Sequence, residues 1–376
     1  MLEKLTVSGP RRGLLLSSNS LWNIENFRSH LVEAFVREGW QVVIAAPATA
    51  EQVQVCSLPA RVVPLDIQRS GTNPLRDLAL IRAYYALIRA EKPAVFLGWT
   101  IKPNLYGAVA ARFAGVPSVL NVSGLGTAFL GGRLLGRFVS ILYKFAFQRA
   151  SIVFFQNSDD REMFLERGLV RAEQARLLPG SGINLDQFPM TPLPGGPIRF
   201  LLVARLLGDK GIREYVAAAR LARLVLPGAQ FQLLGPIDQC NRTAISSDEV
   251  DRWVSEGVID YLGETSDVRP HIASATAVVL PSYREGLPRT LLEGAAMGRP
   301  LIATDVAGCR DVVEDGTNGF LCAVRDAQSL CRVMVKLARL DGYSRIRMGQ
   351  RSRQMVEKRF SEELVAQAYV LALTEL

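Results

Sequence analysis

Cysteine and histidine are scarce in this chain: 376 residues hold five of the first and two of the second. Cys56, Cys240, Cys309, Cys322 and Cys331 are scattered, odd in number and never in C-x-x-C spacing, which argues against a disulfide framework or a zinc site. Free thiols fit a reducing cytoplasm. No D-x-D occurs, so the carboxylate pair that often holds a divalent cation beside a diphosphate is missing. No G-x-G-x-x-G follows the first predicted strand. Gly124-Leu-Gly126 begins such a motif, but its third glycine falls at Gly131, which argues against a nicotinamide dinucleotide. Arg11 and Arg12 precede only Leu14–Leu16, too brief for a signal peptide. The longest uncharged stretch, Phe113 to Gly132, interrupts itself with Pro117, Ser118, Asn121, Ser123 and several glycines. It reads as helix end, strand and Gly-rich loop, not as a membrane span.

What is present is apolar enough for real cores, with 49% hydrophobic and 21% charged residues. The length favours two domains. The net charge of +8 is uneven. Residues 1–190 carry 21 Lys+Arg against 14 Asp+Glu, and the rest carry 23 against 22. A basic half points to an anionic partner such as phospholipid or diphosphate, or else to a solvated basic face.

Short apolar runs alternate with helical segments. Strands are predicted at Gly13–Ser17, Gln41–Ala46, Ala94–Gly98, Ser118–Val122 and Ile152–Gln156. Helices are predicted at Asn26–Gly39, Leu75–Ala90 and Asn104–Gly115. The Pro- and Gly-rich stretch FPMTPLPGGP (188–197) reads as a linker. The alternation then restarts, with strands at Ile198–Val203, Gln230–Leu234, Ala277–Pro281 and Pro300–Thr304. Predicted helices there include Gly211–Val225, Arg289–Met297, Ala327–Ala338 and Ser344–Arg359, and a last amphipathic helix covers Ser361–Leu376. The pattern implies α/β architecture, with two doubly wound, Rossmann-like parallel-sheet domains: 1–187, a linker at 188–197, 198–358, and a terminal helix within 359–376. In such sheets ligands bind beyond the carboxyl ends of strands.

The sharpest local signal is VLPSYREGLPRTLLE (279–293). A buried strand ends at Pro281, a polar loop follows, and Pro288 sits where a helix begins. Glu285 precedes that helix and Glu293 lies on it. Pro288 to Glu293 spans roughly 7–8 Å of helix axis at about 1.5 Å per residue. That length suits a diphosphate with one neighbouring ring. One carboxylate then accepts from a hexose hydroxyl and the other from a ribose diol. The amides of Gly286 and Leu287, with the helix dipole, suit the phosphates between. The plainer reading of E-x7-E is two acids favoured by a helix start or left on a surface. A second segment, LLVARLLGDKG (201–211), places Arg205 and Lys210 at a strand's end. A guanidinium fork and an ammonium there would serve a diphosphate, or simply a charged surface.

Together these segments resemble glycosyltransferase family 4, whose GT-B fold sets two Rossmann-like domains face to face. The stretch VLPSYREGLPRTLLEGAAMGRPLIATDVAGCRDVVEDGTNGFL is very similar to that family's donor-binding region. SSNSLWNIENFR, TIKPNLYGAVAARFAG, NVSGLGTAF and LGETSDVRPHI extend the likeness over nearly the whole chain. The subgroup it resembles comprises bacterial hexosyl- and N-acetylhexosaminyltransferases that extend undecaprenyl-diphosphate-linked sugars for surface polysaccharide or glycan assembly. The resemblance implies a retaining transfer from a UDP-sugar to a lipid-linked saccharide. It implies that Arg205 and Lys210 hold the diphosphate, that Glu285, as the catalytic residue, contacts the transferred sugar, and that Glu293 binds the ribose. The backbone of Gly286, Leu287 and Pro288 then meets sugar or phosphate. The base lies near Leu234-Gly235-Pro236 and the loop before His271. A terminal helix crosses back to the first domain.

Neither His30 nor His271 stands where a catalytic base is expected, so the acceptor's proton is expected to pass to the departing phosphate. Without D-x-D, and with Arg205 and Lys210 as cations, no metal cofactor is expected; the UDP-sugar is a co-substrate. In the first half, Lys102, Asn121, Ser123 and Gly124 are candidate acceptor contacts. RLLGRFVSILYKFAFQR (133–149) puts Arg133, Arg137 and Lys144 on one stripe beside an apolar face, which suits an anionic membrane interface or a core helix with a wet edge. The expectation is a cytoplasmic protein, peripheral at the inner face of the plasma membrane. A UDP-N-acetylglucosamine 2-epimerase on the same fold is the rival, weakened by the shortage of histidine. A nucleic-acid binder leaves E-x7-E unexplained and lacks a basic-aromatic stripe.

Overall fold

The computed structural model describes residues 12–68, 73–124, 141–238, 241 and 243–376. They fall into two compact units. One runs to Ser181 and takes back Glu362–Leu376; the other is Gly182–Ser361. The boundary therefore lies before residues 188–197, and that Pro-rich stretch belongs to the second unit. Arg299 is part of the reason. It is fully buried and donates to the carbonyls of Thr191 and Pro192, as well as those of Ala273, Ala275 and Met297. A buried cation needs its donors satisfied, and here it ties the stretch down. Burial pushes its pKa down to about 10, so it stays charged at neutral pH.

The first unit is one sheet of β1 (Gly13–Ser17), β2 (Gln41–Ala46), β3 (Arg61–Pro64), β4 (Val95–Trp99), β5 (Ser118–Val122), β6 (Ile152–Phe155) and β7 (Ala175–Leu177). The order is β3-β2-β1-β4-β5-β6-β7, and every pairing is parallel. Central strands are covered on both faces and read as unbroken apolar runs; Leu14, Leu15 and Leu16 are wholly buried. The helix predicted at Asn26–Gly39 is two helices, Leu21–Phe27 and Ser29–Arg37. Arg28 joins them, with its guanidinium 4.9 Å over the Trp99 ring.

The terminal helix Glu362–Thr374 packs into this unit. Val365, Tyr369, Ala372 and Leu373 share a core with Leu14, Leu16 and Trp99. The Tyr369 hydroxyl accepts from Trp99 Nε1 at 2.9 Å and from Asn121 Nδ2 at 2.6 Å. That fastens the chain's last helix to β4 and β5, and the expected return to the first domain is thus observed.

The second unit holds β8 (Arg199–Val203), β9 (Gln230–Leu234), β10 (Asp260–Tyr261), β11 (Ala277–Leu280), β12 (Leu301–Thr304) and β13 (Gly319–Cys322). Its order is β10-β9-β8-β11-β12-β13, again parallel throughout. In each sheet the order reverses once, between β1 and β4 and between β8 and β11. Those reversals are the places where a doubly wound sheet leaves a crevice for ligand. Among the described residues no helix is long and apolar enough to cross a membrane.

Candidate functional site at the β8–β11 switch point

After β8 the chain runs through Arg205 to a short 3₁₀ turn, Gly208–Lys210, and then to the helix Ile212–Arg223. Gly211 carries the chain between them with φ +71°, and a Cβ there would lie 2.1 Å from the Pro281 carbonyl oxygen. The absence of a side chain lets the two loops touch backbone to backbone. Tyr283 N donates to Asp209 O at 2.9 Å across the same seam.

That contact brings the charges together. Lys210 Nζ donates to Glu285 Oε1 at 2.5 Å, and both side chains are largely shielded, at 25% and 13% exposure. The pair bridges the loops after β8 and β11, at the reversal of the sheet. Ser282 Oγ donates to the same oxygen at 2.6 Å. On the far side, Gly308 (φ +75°) faces the Gly286 carbonyl so closely that a Cβ would sit 2.2 Å from it. Gly286 and Pro288 are buried and Leu287 half-buried. Pro288 stands just before the helix Arg289–Ala296, at its cap.

Glu293 is buried on that helix, and Arg289 Nε donates to its Oε1 at 2.9 Å. Burial raises its pKa, and Arg289 offsets that only in part. Arg205 is exposed and pairs with Asp238, 3.0 Å away in the loop after β9. Gly235, at the end of β9, has φ +143°, and a Cβ there would fall 1.9 Å from the Ala204 carbonyl oxygen. Of the four charged residues singled out in the sequence, Lys210 and Glu285 are in direct contact. Glu293 and Arg205 each have a partner of their own, Arg289 and Asp238.

Sequence reasoning missed several neighbours. Arg289 sits four residues before Glu293, a helical spacing that could have been read. Tyr283 donates to Glu214 Oε1 at 2.6 Å, and Arg325, itself at φ +58°, lies 4.5 Å over its ring. Burial, then Glu214, pushes the Tyr283 pKa up to about 12. Cys309 is buried here, and that burial pushes its thiol pKa up. No group of three or more His, Cys, Asp or Glu among the described residues is placed to hold a metal.

The first unit has its own reversal between β1 and β4. Asn19 N donates to Thr100 Oγ1 at 3.2 Å, and Thr100 has φ +74°. Lys102 is ion-paired with Asp77 at 3.0 Å. Asn121 is buried, and its Nδ2 donates to the Tyr369 hydroxyl. Ser123 and Gly124 are half-buried beyond β5. Lys144 is exposed, beside exposed Ile141 and Phe145; Arg133 and Arg137 lie outside the described residues.

Residues 24–180 match the model of the glycosyl transferase 4-like domain, and residues 197–339 match that of glycosyl transferases group 1. The chain is 24% identical over 370 residues to an N,N'-diacetylbacillosaminyl-diphospho-undecaprenol alpha-1,3-N-acetylgalactosaminyltransferase of Campylobacter jejuni, covering 93% of this chain and 94% of the relative. It is 25% identical over 281 residues to a UDP-Gal:alpha-D-GlcNAc-diphosphoundecaprenol alpha-1,3-galactosyltransferase of Escherichia coli, covering 70% and 71%. Among solved structures, an Anabaena protein in complex with UDP-glucose superposes with a TM-score of 0.77 at 19% identity, over 97% of this chain and 100% of that one.

Proposed function

This chain belongs to glycosyltransferase family 4, with the GT-B fold, and on that premise we propose that it moves a hexose or N-acetylhexosamine from a UDP-sugar to a lipid-diphosphate-linked saccharide. The observation that carries the proposal is the Lys210–Glu285 pair at the β8–β11 reversal. A cation for phosphate and a carboxylate for sugar hydroxyls stand side by side there. Support for the donor and acceptor classes comes from the two relatives named above and from the UDP-glucose complex of the Anabaena protein.

In this reading Lys210 and Arg205 hold the diphosphate, the amides around Gly286–Pro288 assist, Glu285 contacts the transferred sugar and Glu293 the ribose. Transfer proceeds with retention. The acceptor oxygen bonds to the anomeric carbon as the bond from that carbon to the diphosphate oxygen breaks, and the acceptor's proton passes to the departing phosphate. Fixed positive groups stabilise that leaving charge, so the proposal requires no metal. The acceptor lies beyond β4 and β5, near Lys102, Ser123 and Gly124, with Asn121 in the wall. Lys144, with Ile141 and Phe145, suits an anionic membrane surface, and the proposal places the protein at the inner face of the plasma membrane, in surface polysaccharide or glycan assembly.

The test begins with thermal shift against UDP-, GDP- and ADP-sugars. A ligand at 100 times its Kd stabilises by about 2.7 kcal/mol, and a UDP-sugar is expected to give the largest shift. Transfer to undecaprenyl-diphosphate-linked N-acetylhexosamine should then survive EDTA. No shift with any nucleotide sugar overturns the donor reading, and loss of turnover on chelation overturns the metal-free step.

Glu293→Ala should weaken donor binding about tenfold or more, the loss of a hydrogen bond to a charged acceptor, while turnover at saturating donor changes less. The raised pKa gives the pH sign. Below that pKa Glu293 is protonated and no longer the better acceptor for a ribose diol, so wild-type affinity should decline as pH falls, and the alanine variant should lose this decline. Titration calorimetry with UDP checks both.

A further inference from the structure

Ser282 is the one residue of the donor loop whose side chain is wholly buried and polar, yet it lies within reach of the acid expected to meet the sugar. Its surroundings hold it rigidly. Its backbone carbonyl accepts from Thr304 Oγ1 at the end of β12. The residue before it, Pro281, is pressed against Gly211, and the residue after it is hydrogen-bonded to Asp209. Its hydroxyl therefore points from a fixed place.

Both Ser282 Oγ and Lys210 Nζ donate to Oε1 of Glu285, and no described residue donates to Oε2. A carboxylate held by one ion pair alone can turn about its terminal torsion, because that torsion is broad. Two donors converging on one oxygen from different loops fix the plane of the group. We infer that Ser282 is a positioning residue: it locks the Glu285 carboxylate so that Oε2 is presented to a hydroxyl of the transferred sugar, and it keeps that plane when Lys210 turns to the incoming diphosphate. This rests on the donor-site reading above and deepens it.

The order of events follows from the chemistry. A diphosphate carries more charge than a carboxylate and competes for Lys210. Once the ammonium leaves, only the Ser282 hydroxyl still orients Glu285. Its effect should therefore be largest with the complete donor and absent with UDP, which has no sugar for Glu285 to touch.

Ser282→Ala, Glu285→Gln and the double variant are compared in two measurements: affinity for UDP by calorimetry, and turnover of a UDP-N-acetylhexosamine onto undecaprenyl-diphosphate-linked N-acetylhexosamine. For Ser282→Ala the expected result is UDP affinity within about twofold of wild type and turnover down about 10- to 100-fold, the range for losing a hydrogen bond to a charged group. The double variant should be no slower than Glu285→Gln alone, because the two side chains act as one unit. Parallel loss of UDP affinity, or a double variant slower by the product of the two losses, overturns the inference. Wild-type turnover in Ser282→Ala with a slow Glu285→Gln overturns it alone; wild-type turnover in Glu285→Gln overturns the donor-site reading with it. If Ser282→Ala melts well below wild type, Ser282→Thr supplies the hydroxyl again. Recovered turnover in that variant supports the inference, and none at a native melting temperature overturns it.

Discussion

Glu285→Ala is expected to lower sugar transfer by about 100- to 1,000-fold while UDP binds as well as to wild type, or better. Two effects of different sign produce that split. The carboxylate's contact with the sugar strengthens as charge develops at the anomeric carbon, so its loss falls on the transition state. At about 1.4 kcal/mol per factor of ten, the expected loss corresponds to about 3–4 kcal/mol, comparable with removing one preorganised electrostatic group from an active site. The same substitution frees Lys210, which in this structure is held at 2.5 Å by Glu285. A free ammonium no longer has to leave a partner before meeting phosphate, so affinity for UDP should not fall. Stopped-time transfer assays and calorimetry on one preparation read both quantities. Wild-type turnover in Glu285→Ala would remove Glu285 from the chemistry, and a collapse of UDP affinity would mean that the acid organises the phosphate site instead of the sugar site.

The strand tips that carry this site were legible because their signals are local. Val279 and Leu280 end a buried run, Pro288 marks a helix start, and Lys210-Gly211 marks a turn. Adjacency across the sheet was not legible. That Arg205 meets Asp238 depends on β8 pairing with β9, and that Ser282 meets Glu285 depends on how one loop folds back. Short edge elements escaped for a related reason. β3, Arg61–Pro64, alternates around partly exposed positions, and β7 has three residues ending in exposed Leu177. Neither presents the apolar run by which central strands announce themselves. Arg28 and Arg299 are buried charges, which composition always assigns to the surface; one breaks the predicted Asn26–Gly39 helix, and the other helps draw the Pro-rich stretch into the second unit. Arg133 and Arg137 lie outside the described residues, so Lys144 alone of that basic stripe has a described position.

Gly211→Ala should abolish measurable donor binding and lower the melting temperature, whereas Gly257→Ala in the same unit should lower the melting temperature less and leave donor binding as in wild type. The two glycines share a backbone conformation, φ +71° and +65°. An L-residue there pays about 1–2 kcal/mol in either place. Space separates them. Around Gly257 a Cβ meets nothing within 4 Å, while at Gly211 it would lie 2.1 Å from the Pro281 carbonyl oxygen and 2.8 Å from its carbon. Both obstacles are backbone at the end of β11, which pairs with β8 and β12 and cannot yield as a flexible side chain would. The loop after β8 must move instead, by about an ångström to reach ordinary contact. Lys210 is the residue immediately before, so the displacement falls on the Lys210–Glu285 pair and on the Tyr283–Asp209 bond beside it. Thermal melts of the two variants, each with and without UDP, separate the effects. A shared loss of about 1–2 kcal/mol measures the backbone conformation, and loss of UDP stabilisation in Gly211→Ala alone measures the seam between the two loops. Normal UDP stabilisation in Gly211→Ala would mean that the close approach of these loops does not govern the donor site.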